Sequence, residues 1–328
     1  MRNTTKHIIL STLISLSLLL GLASPAFAVA SRGTGQALEI APPVLSLSAD
    51  PGATIKTKLM LRDVSSVKLV VTNEINDFVA NGEDGTPKIL LKKDQTSPYS
   101  LKSWIQPIPQ ITLDSKQVVN LPLEIAVPAS ASPGSYYAVV RFTGNSASPQ
   151  GQAVSLSASL GALVFLRVNG NAKESLSIAD FYTSEGDKKK GMFESTPVGF
   201  SARIKNDGNV HEQPVGQIAI NDMFGHQVAN VSMNLEKSIV LPGSVRKYTA
   251  VLDKTVIGDR MLFGYYTAKL HTVYGSKYQS FEKTISFWVI PLKLILLVTA
   301  VVVAAIIGLR VWVLRFKKRI ISQARRRR

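Results

Sequence analysis

Three histidines, His211, His226 and His271, are the only imidazoles beyond the N-terminal stretch, and the 328-residue chain has no cysteine. None of the three has an aspartate or a second histidine at the spacing of a nucleophilic triad or a zinc motif, and the sequence contains no GxSxG, HExxH or phosphate-cradling glycine loop. Without thiolates there is no thiol nucleophile, iron–sulfur cluster or cysteine-type zinc site. His211 and His226 flank turns, so solvated turn histidines are expected and not a surface metal site. An enzyme is not expected, and neither is a cofactor.

Two other clusters have chemistry to offer. Asp77, Asn81, Glu83 and Asp84 crowd a glycine-containing stretch, NDFVANGEDGTP, whose oxygens suit Ca²⁺. The spacing departs from an EF-hand loop, and a solvated acidic turn competes with the metal reading. Tyr99, Trp104, Tyr136 and Tyr137 are candidates for an aromatic platform that holds a glycan or a peptide, because such rings combine rigid apolar area with a polar edge. On a strand, however, one of two consecutive tyrosines points inward, so core packing competes here.

The elements that would position these residues are strands. From Ala37 onward, apolar residues alternate in short runs such as TIKTKLMLRDV, QVVNLPLEIAV and PVGFSARIKN. Turn residues interrupt them every 8–12 positions or so, the pattern of a sandwich. Asn76–Pro87 reads as a long polar loop, and Ala153–Gly170 as one extended strand or two joined at Gly161. Asn169-Gly170-Asn171 marks a boundary. On either side of it the text echoes itself, with Pro51-Gly52 and Pro242-Gly243 before strands and Tyr136-Tyr137 and Tyr265-Tyr266 in a late one. The expected fold is an all-β ectodomain of two tandem immunoglobulin-like sandwiches, over residues 37–169 and 170–287.

Charge is distributed unevenly. The formal net charge is +16, yet residues 29–288 hold 26 basic residues against all 22 acidic ones. The remaining excess lies at the two ends, which fits membrane topology and anionic inner-leaflet lipid and argues against nucleic acid as a partner. Residues 1–28 have a basic start, an apolar run and an Ala26-Phe27-Ala28 close, the pattern of a cleaved signal peptide, followed by a flexible leader over 29–36. Leu294–Leu309 is sixteen residues without a charge. A transmembrane helix is expected over 288–314, with Trp288, Lys293, Arg310 and Trp312 at its interfaces and a basic cytoplasmic tail over 315–328. LPGSV at Leu241–Val245 lies too far upstream of this span for a sortase signal and reads as a turn.

The stretches APPVLSLSADPG, NDFVANGEDGTPKILL, SPYSLKSWI and VPASASPGSYYAVVRF resemble the peptidoglycan-binding domain of bacterial WxL-interacting surface proteins, over about Ala37–Val168. That family shares the layout of signal peptide, two sandwiches, one membrane helix and basic tail. The resemblance implies a cell-surface role, binding peptidoglycan or another surface protein, and supplies no site positions. The alternative, from the sandwich pattern itself, is a chaperone-like accessory subunit that receives a client strand at a sheet edge.

Overall fold

The computed structural model describes residues 38–92, 94–146 and 158–326. The expected signal peptide and leader lie outside these residues, as does most of the Asn145–Gln152 loop. In chain order the strands are β1 (Leu38–Ala41), β2 (Val44–Ala49), β3 (Thr54–Asp63), β4 (Leu69–Asn81), β5 (Thr86–Leu90), β6 (Ile111–Leu113), β7 (Val118–Ala126), β8 (Gly134–Ser146) and β9 (Ala158–Val168). They are followed by β10 (Leu176–Glu185), β11 (Lys188–Lys189), β12 (Met192–Phe193), β13 (Val198–Asn206), β14 (Val215–Asn221), β15 (Gln227–Met233), β16 (Val245–Leu252), β17 (Gly264–Tyr274) and β18 (Gln279–Val289). A four-residue helix, α1 (Lys254–Ile257), precedes β17, and a long one, α2 (Leu292–Arg326), ends the described chain.

Alternation is what makes these strands. Along β3, Leu59 and Leu61 point into an apolar interior while Lys56 and Lys58 point to water, the two-residue period of a half-buried sheet. The first nine strands make one sheet in the order β1-β3-β7 and a second in the order β2-β9-β8-β4-β5, with β6 also on β4. Between them lies a core that includes Leu59, Leu123, Phe142, Val164 and Leu166. The chain changes sheets at Pro42-Pro43: β1 runs antiparallel to β3, whereas β2 runs parallel to β9.

The later strands repeat this arrangement. One sheet has the order β11-β10-β13-β16 and the other β12-β18-β17-β14-β15, with β12 parallel to β18. Their interior holds Phe181, Phe200, Ile218, Leu270 and Phe287. β10, β13 and β16 take the places of β1, β3 and β7; β12, β18, β17 and β14 take those of β2, β9, β8 and β4. The tyrosine pairs sit at equivalent places, near the start of β8 and of β17. The Pro-Gly turns do not, since Pro51-Gly52 precedes β3 and Pro242-Gly243 precedes β16, the counterpart of β7.

One expectation is corrected by the strands, and one open choice is decided. Asn76–Pro87 is not a long loop: β4 runs through it to Asn81, and only Gly82–Gly85 turn before β5 pairs back, Asn81 opposite Thr86. Gly82 and Gly85, at φ of +61° and +81°, supply the left-handed backbone that lets so short a turn close. β9 passes through Gly161 as one strand. Leu241–Ser244 is a turn, with Gly243 at φ +71°.

Leu292–Arg315 of α2 is long and apolar enough to cross a membrane, by length and composition. Trp288 lies in β18, four residues before it, and Lys293 pairs with Glu194 at 3.3 Å. Arg310 and Trp312 lie on the helix near the end of the apolar stretch.

Candidate functional site

A third apolar cluster lies outside both interiors. Phe78, Tyr137, Val139 and Phe165 project from the outer face of the β2-β9-β8-β4-β5 sheet, and Ile239 and Leu241, from the turn before β16, pack against them. This is where the earlier and later strands meet. The rings are close: Tyr137 lies 5.5 Å from Phe165 and 5.8 Å from Phe78, in tilted or edge-on contact. Beside them a cleft of about 340 Å³ is lined by Val44, Leu163, Phe165, Ile239, Leu241 and Arg246.

Polar contacts hold the junction at two further points. Glu83, at the tip of the β4–β5 turn, accepts two hydrogen bonds from Arg203, at 2.8 and 2.5 Å, and its carbonyl accepts from the Lys247 amide at 2.8 Å. The Arg203 guanidinium holds the Glu83 carboxyl below the usual carboxylate range. Across the sheet, Asn209 donates its side-chain amide to the Pro133 carbonyl at 2.9 Å and accepts from the Ser135 amide through its own carbonyl. The His211 amide donates to the Ser135 hydroxyl.

His211 is therefore not a solvated turn residue, as its sequence context suggests. Its ring sits 5.4 Å from Phe165 and 5.9 Å from Tyr137, and burial pushes its pKa down to about 4. The next residue, Glu212, is buried, with an oxygen that no donor reaches; burial and then the nearby Glu174 raise its pKa to about 7. His226 conforms to expectation, exposed beside Asp222 in the β14–β15 turn. His271 pairs with Glu282 on the surface.

The aromatic four do not form one platform. Tyr136 and Trp104 face the first interior, their rings 4.3 Å apart. Tyr137 and Tyr99 lie on the opposite face, 6.0 Å apart, where Tyr137 is 1% exposed under the junction. Both consecutive tyrosines are covered because both faces of this sheet are packed.

The acidic four do not converge on a cation either. Asp77 is buried and accepts from the Ser97 amide and the Ser100 hydroxyl, fastening the 97–100 segment under the sheet. Asn81 and Asp84 bond Thr86 within the turn, and Glu83 is held by Arg203. Among the described residues no three histidine, aspartate or glutamate side chains are grouped to hold a metal.

What sequence reasoning does not locate is the open sheet edge beside the cleft. β9 pairs with β8 over its whole length, but with β2 only from Leu163 to Val168. Among the described residues no strand covers the other side of Ala158–Ala162. The Leu163 amide donates toward β2, to the Pro43 carbonyl at 2.9 Å. Backbone groups of successive residues alternate sides, so the amides and carbonyls of Ser159 and Gly161 face the open side. Ser159 and Gly161 are exposed, while Ala162 and Val164 point into the core. Of the other edges, β18 meets β12 only at Trp288 and Val289 and β10 meets β11 only at Ser184 and Glu185, and neither borders the cleft, while two more are blocked or spoiled. β7 carries Pro122 and is crossed by Ile105 and Gln106, and β16 is met at Lys247 by Glu83.

No family model matches the chain, and no curated protein matches it. Among solved structures it is similar to the class 5 fimbriae chaperone CfaA, at 16% identity and a TM-score of 0.40 over 75% of this chain and 98% of that one. It is also similar to the YadV chaperone, at 11% identity and a TM-score of 0.37 over 77% of this chain and 100% of that one. A third is the Salmonella enterica SafA pilin in complex with the SafB chaperone, at 10% identity and a TM-score of 0.36 over 76% of this chain and 97% of that one. At such values the likeness says nothing of what this chain does. The expectation of peptidoglycan binding is corrected: the aromatic residues that would have formed a glycan platform are split between two faces of the sheet, Tyr137 buried and Tyr99, Trp104 and Tyr136 partly covered.

Proposed function

We propose that this chain is a non-enzymatic accessory factor for surface assembly, which captures an extended segment of an exported protein along the open edge of β9. In this reading the two sandwiches are separate tandem domains on one membrane span, facing outward, with the basic tail in the cytoplasm. The observation that carries it is the unpaired run Ala158–Ala162, where Ser159 and Gly161 offer two amides and two carbonyls to an added strand. Main-chain pairing would supply affinity, and the adjoining apolar cleft would select for apolar side chains at alternate positions of the client.

A photo-crosslinker at position 159 of the full chain, in its native membranes, tests this. The expected adduct is an extended peptide of an exported protein, with none from the same probe at Val118 on the β7 edge. Ser159→Pro removes one outward-facing amide without touching the β8–β9 ladder, a substitution that edge strands tolerate. It should weaken client capture by roughly tenfold or more, the loss of about 1.4 kcal/mol in one backbone hydrogen bond and the fit around it. Thermal stability should be unchanged. Undiminished capture by Ser159→Pro, or equal crosslinking from Val118, would refute the edge.

A further inference from the structure

The end of the later sandwich from which α2 emerges carries exposed apolar side chains from three separate segments. Phe224 and Met223 form the tip of the β14–β15 turn, Met261 and Phe263 the approach to β17, and Trp288 the end of β18. Phe224 is 77% exposed, Met261 70% and Phe263 58%. Strand register places them at one level. Gly264 pairs with Val289 and Tyr265 with Trp288, so Phe263 stands beside Ile290, two residues from the start of the helix. A Cβ on Gly264 would run into the Met223 methyl, which puts the turn against the same strand start.

Nothing lets the sandwich stand away from the helix. The Ile290 amide donates to the Phe193 carbonyl at 2.7 Å and the Ile295 amide to the Pro291 carbonyl at 3.1 Å, so the last strand passes into the first turn with two residues between. If the apolar stretch from Leu294 enters hydrocarbon, residues two or three positions before Leu292 lie within about 10 Å of it, inside the headgroup layer. Phenylalanine, methionine and tryptophan side chains are favoured at that depth, and single exposed hydrophobics elsewhere on the sandwich do not gather in this way. Arg260, exposed next to Met261, would sit at the height of the lipid phosphates.

We propose that Met223, Phe224, Met261, Phe263 and Trp288 form a collar that inserts into the bilayer interface around the root of α2 and fixes the tilt of the membrane-proximal sandwich. The occupant of this apolar rim is phospholipid, because the rim is continuous with the helix surface that the bilayer would cover. This rests on the reading of α2 as a membrane span. An oriented sandwich would hold the open β9 edge at a set height above the membrane.

The absence of cysteine permits single labels on the full chain. Phe224→Cys and Phe263→Cys would carry an environment-sensitive fluorophore, with Tyr278→Cys at the opposite end of the same sandwich and Val302→Cys in mid-helix as references, all reconstituted in phosphatidylcholine vesicles. The expected result is strong quenching at position 302 by lipids spin-labelled deep in the acyl chain, strong quenching at 224 and 263 by lipids labelled near the headgroup, and none at 278. Quenching at 302 with positions 224 and 263 as unquenched as 278 would overturn the collar and leave the span standing. A blue-shifted emission at 224 and 263 without lipid quenching would place protein there instead, and overturn it too. Absence of quenching at 302 would remove the span and the collar together.

Discussion

Replacing Asn206 with alanine is expected to cost about 3–5 kcal/mol of folding stability, more than any single surface change, because each buried partner left unbonded costs about 1–3 kcal/mol. Asn206 closes β13 and is fully buried. Its side-chain amide donates to the Val210 carbonyl at 2.7 Å and to the Val240 carbonyl at 3.1 Å, and its oxygen accepts from the Gly208 amide at 2.9 Å. Its backbone meets the same neighbours, donating to Ser244 and accepting from Gly243. One side chain thus fastens the 206–210 turn to the turn before β16. Alanine would leave the Val210 carbonyl and the Gly208 amide without their partner, and the Val240 carbonyl with the Glu212 amide alone. Those two turns also carry Asn209, His211, Ile239 and Leu241, which make the junction, so a loosened turn should expose Tyr137 as well. Urea titration of the full chain in detergent, followed by tyrosine and tryptophan fluorescence, measures the loss. Two resolved transitions, with only the one belonging to the later sandwich shifted, would support separate domains. A loss below about 1 kcal/mol would mean that the asparagine network is dispensable and this account of it is wrong.

The NDGN run is visible as a turn in the sequence, yet nothing local distinguishes its first asparagine from the others. What makes Asn206 different is Val240, thirty-four residues away, and that pairing exists only once the sheets are formed. The same holds across the molecule. Two-residue alternation places β3, β7 and β13 where the sequence predicts them, since their burial is set by a core on one side and water on the other. The prediction fails where both faces are covered. Phe78 and Val79 sit within a polar run that looks like a loop, because the outward residue of the pair is buried by a second sandwich and the surrounding acids bond across the junction and the turn. His211 is misjudged for the same reason: Ser135, the partner of its amide, lies seventy-six residues away. The open edge of β9 is invisible for the converse reason. An unpaired strand segment differs from a paired one only in what is beside it, and the two-proline switch that ends β2's coverage at Val44 says where β2 begins, not which strand it joins.

Stability between pH 5 and 8 should be nearly flat in the parent chain and steep in Glu212→Gln. Two adjacent buried groups act in opposite directions. His211 takes up its proton near 6.5 when unfolded but only near 4 in the fold, so between those values the unfolded chain binds the extra proton and stability falls as the pH drops. Glu212 loses its proton near 4.5 when unfolded but near 7 in the fold. Here the folded chain binds the extra proton, so this contribution is fully present below 4.5 and is lost as the pH rises through 7. Each slope is about 1.4 kcal/mol per pH unit, and they cancel where the windows overlap. Glutamine keeps the shape of the neutral acid and removes its titration. It should leave stability near pH 4.5 little changed and raise it by about 3 kcal/mol at pH 8, where the parent must bury a carboxylate facing Glu174, against which Arg167 offers partial compensation. His211→Asn should tilt the curve the other way, with stability rising on acidification from pH 7 toward 5. Urea midpoints of the three chains at pH 5, 6.5 and 8 decide it. Parallel curves would show that neither group is buried as the junction requires, and would undo the packing of the two sandwiches against each other on which the cleft beside β9 depends.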